Sequence, residues 1–142
     1  MRSGVVASGP LTESFAVVLK ALRGAITVED NVADAILDAT EELVREVMAR
    51  NSLEAERMVS CIFTCTEDLD AEFPAVAARR LGLDTVPLLC AREISVPGAL
   101  PRVIRVLVHC YADELFGGVE DRVGDVVLDG DRASERLENH GG

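Results

Sequence analysis

The chain has 142 residues, with 14 Lys and Arg against 25 Asp and Glu, a formal net charge of −11 and a hydrophobic fraction of 49%. A chain of this length buries roughly 70% of its extended surface and needs no disulfide or metal staple, and its mean hydropathy of +0.21 excludes disorder for the body. The acidic surplus, with no run of Lys or Arg, argues against nucleic acid and anionic lipid as partners; no apolar run approaches the roughly 18 residues that span a bilayer, and a cytoplasmic protein is expected.

Residues 1–15 carry Gly4, Gly9 and Pro10 without sustained periodicity and read as a loosely ordered leader to a single domain over residues 16–128. Residues 16–22 suit a short strand that ends at Arg23-Gly24-Ala25, leaving a charge at the strand's end. With Asp30 or Asn31 as N-cap, residues 32–50 place Val32, Ile36, Leu43 and Val47 on one face and Asp34, Asp38, Glu41 and Arg45 on the other, which predicts an amphipathic helix closed by Asn51. A turn or short helical piece at residues 52–56 then leads to a buried strand over residues 58–66, rich in β-branched and aromatic side chains.

The acidic loop 67–73 runs into Pro74, suited to the first position of a helix over residues 74–81 that Gly82 ends, with Arg79 and Arg80 in its last turn. A third strand is expected over residues 85–93, with Pro87 at its start or on an edge, and a fourth, very apolar strand over residues 102–111. Residues 112–121 read as a loop, 122–128 as a weak last strand and 129–142 as a charged tail. Strands alternating with two helices indicate an α/β or α+β class with a mixed sheet. Two helices cover only one face of such a sheet, so the other face is expected to meet another subunit.

The four cysteines sit in apolar, strand-prone segments and read as small buried hydrophobes. Cys61 and Cys65 on one strand would stand about 13 Å apart, from four residues at roughly 3.3 Å each, which is wrong for joint metal ligation. No GxSxG, HExxH or phosphate-binding glycine loop occurs, and His109 in a strand and His140 in the tail give a hydrolase triad nothing to stand on. What stands out is charge at the ends of apolar strands, namely Arg23, Arg92 and Glu93, and Arg105 between Ile104 and Val106. An arginine in such a run is costly to bury unless a carboxylate or an anionic ligand meets it. Two readings stay open on the residues alone: a structural Arg105–Glu93 ion pair, or a pocket of guanidinium forks for an anion.

Four separated motifs narrow the choice. Residues 23–29 (RGAITVE), 63–69 (FTCTEDL) with Phe73-Pro74-Ala75, 86–93 (VPLLCARE) and 98–106 (GALPRVIRV), in order within residues 19–107, resemble the small AroH-class bacterial chorismate mutases. The resemblance implies a homotrimer whose subunits, each a mixed five-stranded sheet with two helices, pack into a pseudo-α/β-barrel with active sites at the subunit interfaces. It implies the Claisen rearrangement of chorismate to prephenate, toward phenylalanine and tyrosine, with no cofactor and no metal. By match to the family's motifs, Arg105 donates to the ether oxygen and a substrate carboxylate, Arg23 binds and orients the substrate, and Glu93 with Cys90 holds the ring hydroxyl. Phe73, as an apolar wall, and Arg79, as an electrostatic gate, match positions that the neighbouring subunit contributes; packing before a helix is the plain alternative for Phe73, and a small buried side chain for Cys90. Arg80 and Arg92 read as surface ion-pair partners.

The sequence departs from the family at its end. Asp125-Val126-Val127-Leu128 places Val127 where the family's last strand carries a tyrosine that reaches a substrate carboxylate, the loop around residues 115–118 is longer, the closing Arg-Pro segment is missing, and Val76 replaces a lysine. A lost hydrogen bond to a charged group costs roughly 1.5–3 kcal/mol. These departures keep a second function class in view, a non-catalytic trimer that binds a chorismate-like anionic metabolite or a protein partner, and a third, an isomerase acting on a chorismate relative.

Overall fold

The computed structural model describes residues 17–113 and 125–128, in the order β1 (Val17–Thr27), α1 (Ala33–Arg50), a 3-10 turn (Ala55–Arg57), β2 (Met58–Cys65), α2 (Pro74–Arg80), β3 (Leu88–Arg92), β4 (Val103–Asp113) and β5 (Asp125–Leu128). The expected leader, the loop around residues 115–118, the start of the last strand and the charged tail with His140 lie outside the described residues. Four strands form a mixed sheet in the order β3-β2-β4-β1, and the short β5 backbone runs parallel along the outer side of β1. β1 and β2 both pair antiparallel with β4, while β3 runs parallel to β2. This is an α+β arrangement with two helices.

Strand periodicity sorts the side chains to two faces. Leu22 and Ile26 of β1, Ile104, Val106, Val108 and Cys110 of β4, and Cys61 and Phe63 of β2 are buried on one face. There they meet Ile36, Leu43, Val44 and Val47 of α1. α1 packs across β1 and against α2, and α2 packs against β2 and β3, so both helices lie on this face. The opposite face carries Leu19, Arg23, Arg105, Leu107, Tyr111 and Leu89, all exposed. Burial of each large side chain in the covered face contributes about 1.5–3 kcal/mol.

Several boundaries differ from the sequence reading. β1 does not stop at Leu22; it continues through Arg23 and Gly24 to Thr27, because β4 supplies ladder partners as far as Val103. Arg23 therefore projects from within a strand rather than from its end. β3 begins at Leu88 rather than residue 85, since Pro87 has no N–H for the ladder; its carbonyl accepts from the Cys61 N–H at 3.0 Å. β4 starts one residue late because Arg102 has φ 50°, the left-handed turn conformation. The N-cap of α1 is Val32, without a side-chain cap. Asn31 is engaged elsewhere, with its Oδ1 accepting from the N–H groups of Asp70 and Ala71, both at 3.0 Å, and its Nδ2 donating to Asp70 at 2.7 Å.

The end of α2 follows the sequence reading closely. Gly82 has φ 84°, and paired bonds from Gly82 N–H to Arg79 O and from Leu83 N–H to Ala78 O close the helix as a Schellman motif. Beside the bulge at Val59, Met58 pairs with Cys110 and Ser60 with His109. The extra residue lets Met58 and Cys61 both face the core despite their odd spacing.

All four cysteines are free thiols. Burial pushes the Cys61 thiol up to about 12 from its ordinary 9.0, with nearby Cys90 adding to the shift. Between those two values the unfolded chain releases a proton that the folded chain retains, so rising pH favours unfolding. Urea denaturation is expected to show stability falling from about pH 9 upward, with a shallower fall in Cys61→Ala; equal slopes in the two proteins would contradict the burial of this thiol.

Candidate active site

On the open face, Arg105 of β4 is in register with Thr64 of β2 on one side and Ala25 of β1 on the other. Glu93 follows β3, and its N–H donates to Cys65 O at 3.0 Å, extending the β2–β3 ladder one residue beyond Arg92. Alternation then turns its side chain to the same face as Thr64 and Arg105. Arg105 Nη1 donates to Glu93 Oε1, and Thr64 Oγ1 donates to the same oxygen at 2.9 Å. The Glu93 side chain is 15% exposed and that of Arg105 is 51% exposed.

The ion pair is therefore real, and its exposure limits its value to stability. With the Arg105 side half exposed, water screens the pair, which contributes on the order of 1 kcal/mol or less. Arg105 meets Glu93 through Nη1, while a guanidinium carries five N–H donors in a fixed fork. Pair and anion pocket are thus compatible, because the carboxylate engages one nitrogen of a fork that stays half exposed. Arg23 lies on the same face, opposite Leu107 of β4, making it a diagonal neighbour of Arg105. Two guanidinium groups thus share one face of the sheet in a chain of net charge −11.

A polar knot fixes where β4 begins. Both Asp68 carboxylate oxygens accept from the Arg102 N–H, at 3.2 and 3.0 Å, and Thr66 Oγ1 donates to Asp68 while accepting from the Val103 N–H at 3.0 Å. Arg102 Nε donates to Val28 O at 2.9 Å, and Val28 N–H donates to Arg102 O at 2.8 Å. A non-glycine residue in the left-handed region costs about 1–2 kcal/mol, and these bonds hold Arg102 there. Three residues on, Arg105 inherits the register that the knot sets.

Not every residue singled out in the sequence joins this group. Cys90 pairs with Phe63 and so lies on the helix-covered face, opposite to Glu93 and Arg105. Burial pushes its thiol up, partly offset by a hydrogen bond from the Ala75 backbone. Phe73, 69% exposed at the start of α2, does not pack into its own chain's core, and its N–H donates to Glu72. Arg79, in the last turn of α2, donates to Leu83 O. Phe73 and Arg79 thus belong to the helix that covers the other face of the sheet. Arg80 and Arg92 are exposed.

His109 is a half-buried strand residue, with Nδ1 lying 3.2 Å from Ser60 Oγ. Burial is the largest cause raising Cys65 and Cys110 as well as Cys61 and Cys90, so the thiols stay protonated near neutrality and make poor nucleophiles. Among the described residues no group of three His, Cys, Asp or Glu side chains is placed to hold a metal ion. The arrangement is suited to binding and polarising an anion. Thr64 was missed in the sequence; alternation from buried Phe63 could have placed it on the open face, but its pairing with Arg105 depends on long-range register.

Comparison with known proteins agrees over most of the chain. The family model for chorismate mutase type I matches residues 19–119. A chorismate mutase AroH from Thermus thermophilus is 47% identical over 112 residues, which is 78% of this chain and 88% of that protein. Its counterpart from Bacillus subtilis (strain 168) is 36% identical over 97 residues, or 68% and 76% of the two chains. The solved structure of a chorismate mutase from Clostridium thermocellum is similar with a TM-score of 0.69 at 42% identity, covering 80% of this chain and 98% of that one. On the extent of the family match and the identity to both relatives, the chain belongs to the type I, AroH-class chorismate mutases.

Proposed function

We propose that the protein converts chorismate to prephenate by Claisen rearrangement, at the branch toward phenylalanine and tyrosine, without a cofactor. The observation that carries this reading is the open-face grouping of Arg105, Glu93 and Arg23 in a chain of the type I family. A one-step pericyclic reaction requires neither nucleophile nor proton relay. It requires that a flexible dianion be held in a compact conformer and that negative charge growing on the ether oxygen be stabilised.

Arg105 supplies donors to the ether oxygen and to a substrate carboxylate, and Arg23 binds and orients the substrate. Glu93 accepts from the ring hydroxyl and favours the side where positive charge develops. In this scheme the Cys90 thiol, turned toward α2, stays out of substrate contact and backs the wall that carries Glu93.

The active unit is a homotrimer, each subunit a five-stranded sheet that contributes to a pseudo-α/β-barrel. Support comes from the open sheet face, with exposed Leu19, Leu89, Leu107 and Tyr111. Phe73 and Arg79, held across the sheet from their own chain's Arg105, complete a neighbour's site as apolar wall and electrostatic gate. Four free thiols accord with a reducing, cytoplasmic location.

Purified protein is expected to deplete chorismate's ultraviolet absorbance with prephenate as the product, and Arg105→Ala to lose roughly 10²–10³-fold in kcat while keeping its oligomer mass. Full activity in that variant would remove the ether-oxygen role. Light scattering is expected to give three times the chain mass; a monomer would contradict a site shared between subunits. Position 127 shares a register row with Ala25 and, through it, Arg105. Val127→Tyr is accordingly expected to improve kcat/KM by roughly tenfold, the size of one hydrogen bond to a charged group, and unchanged kinetics would refute a weakened pocket edge there.

A further inference from the structure

We infer that Thr64 is a positioning residue for Glu93, holding its carboxylate while Arg105 turns its charge toward the substrate. This role rests on the mutase reading. The Glu93 carboxylate is largely buried, and a buried carboxylate left short of donors is costly. Among the described residues two side chains donate to it, Arg105 through Nη1 and Thr64 through Oγ1, and both bonds fall on Oε1.

The two donors have different duties in catalysis. Arg105 is half exposed, and in the reaction its fork is drawn by the ether oxygen and a carboxylate of the substrate, which weakens its hold on Glu93. Thr64 faces no such competition. It sits within β2, between β3 and β4 and in register with Ala91 on one and Arg105 on the other. Its β-branched side chain is stiff about χ1, so the direction of its hydroxyl is set by the strand. With Oε1 held from that side, Oε2 is left to receive the ring hydroxyl. Thr64 touches no reacting atom and acts only through Glu93.

The test compares Thr64→Val, which keeps the shape and removes the donor, with Thr64→Ser, which keeps the donor. Thr64→Val is expected to lose roughly ten- to a hundredfold in kcat, the range of a hydrogen bond to a charged group, with KM within about threefold and a melting temperature lowered by a few degrees, about the shift that loss of one donor to a buried carboxylate brings. Thr64→Ser is expected to recover most of the loss. Thr64→Ala repeats the measurement without adding a methyl group in case the valine disturbs the sheet. Wild-type kcat in the valine and alanine variants, a loss confined to KM, or a serine variant as impaired as valine would each overturn the inference. A wild-type protein that leaves chorismate untouched fails the mutase reading itself, a result distinct from an active wild type whose Thr64 variants are unimpaired.

Discussion

The antiparallel pairing of β1 with β4 sets the geometry of everything else in the subunit. Eleven residues of each strand run in register, and that pairing decides which side chains go under the helices and which stay in the open. A slip by one residue would send Ile104 and Val106 outward and bury Arg105. Protection against it comes from both sides: the apolar inward row fits α1, and the bonds among Asp68, Thr66, Arg102 and Val28 fix where β4 starts.

On the open face the governing problem is charge. In a chain of net charge −11, Arg23 and Arg105 stand on one face from adjacent strands. Glu93 pairs with Arg105, and the pair fixes one end of a guanidinium fork that stays half exposed. The strands supply what side-chain flexibility would otherwise take away, because each of these groups is anchored by ladder pairing.

What could be read in the sequence was what depends on neighbours in the chain. The apolar spacing of Ile36, Leu43 and Val47 marked α1, and Pro74 and Gly82 marked both ends of α2. The resemblance likewise singled out Arg105, Glu93 and Arg23, which the structure places on one face of the sheet. What failed depended on distant partners. Arg23-Gly24 looks like the end of a strand until β4 is laid beside it, and Asn31 looks like a helix cap until the 70–71 backbone competes for it. The resemblance puts Cys90 beside Glu93, whereas three residues along extended chain turn the two side chains to opposite faces.

The β1–β4 pairing also bears on how the chain acquires its structure. Its closest-spaced partners along the sequence are Thr27 and Val103, and its farthest are Val17 and Asp113, so almost the whole domain lies between the two strands that meet. Such non-local contacts carry a large loop-closure cost and slow folding. During synthesis β1 emerges early and stays without its partner until β4 follows. The segment from α1 to β3 joins elements that are close in sequence, including the parallel β2–β3 pair and the two packed helices. That segment can organise first and offer a template, and the open face that carries Arg23, Arg105 and Glu93 is complete only once β4 lies between β2 and β1.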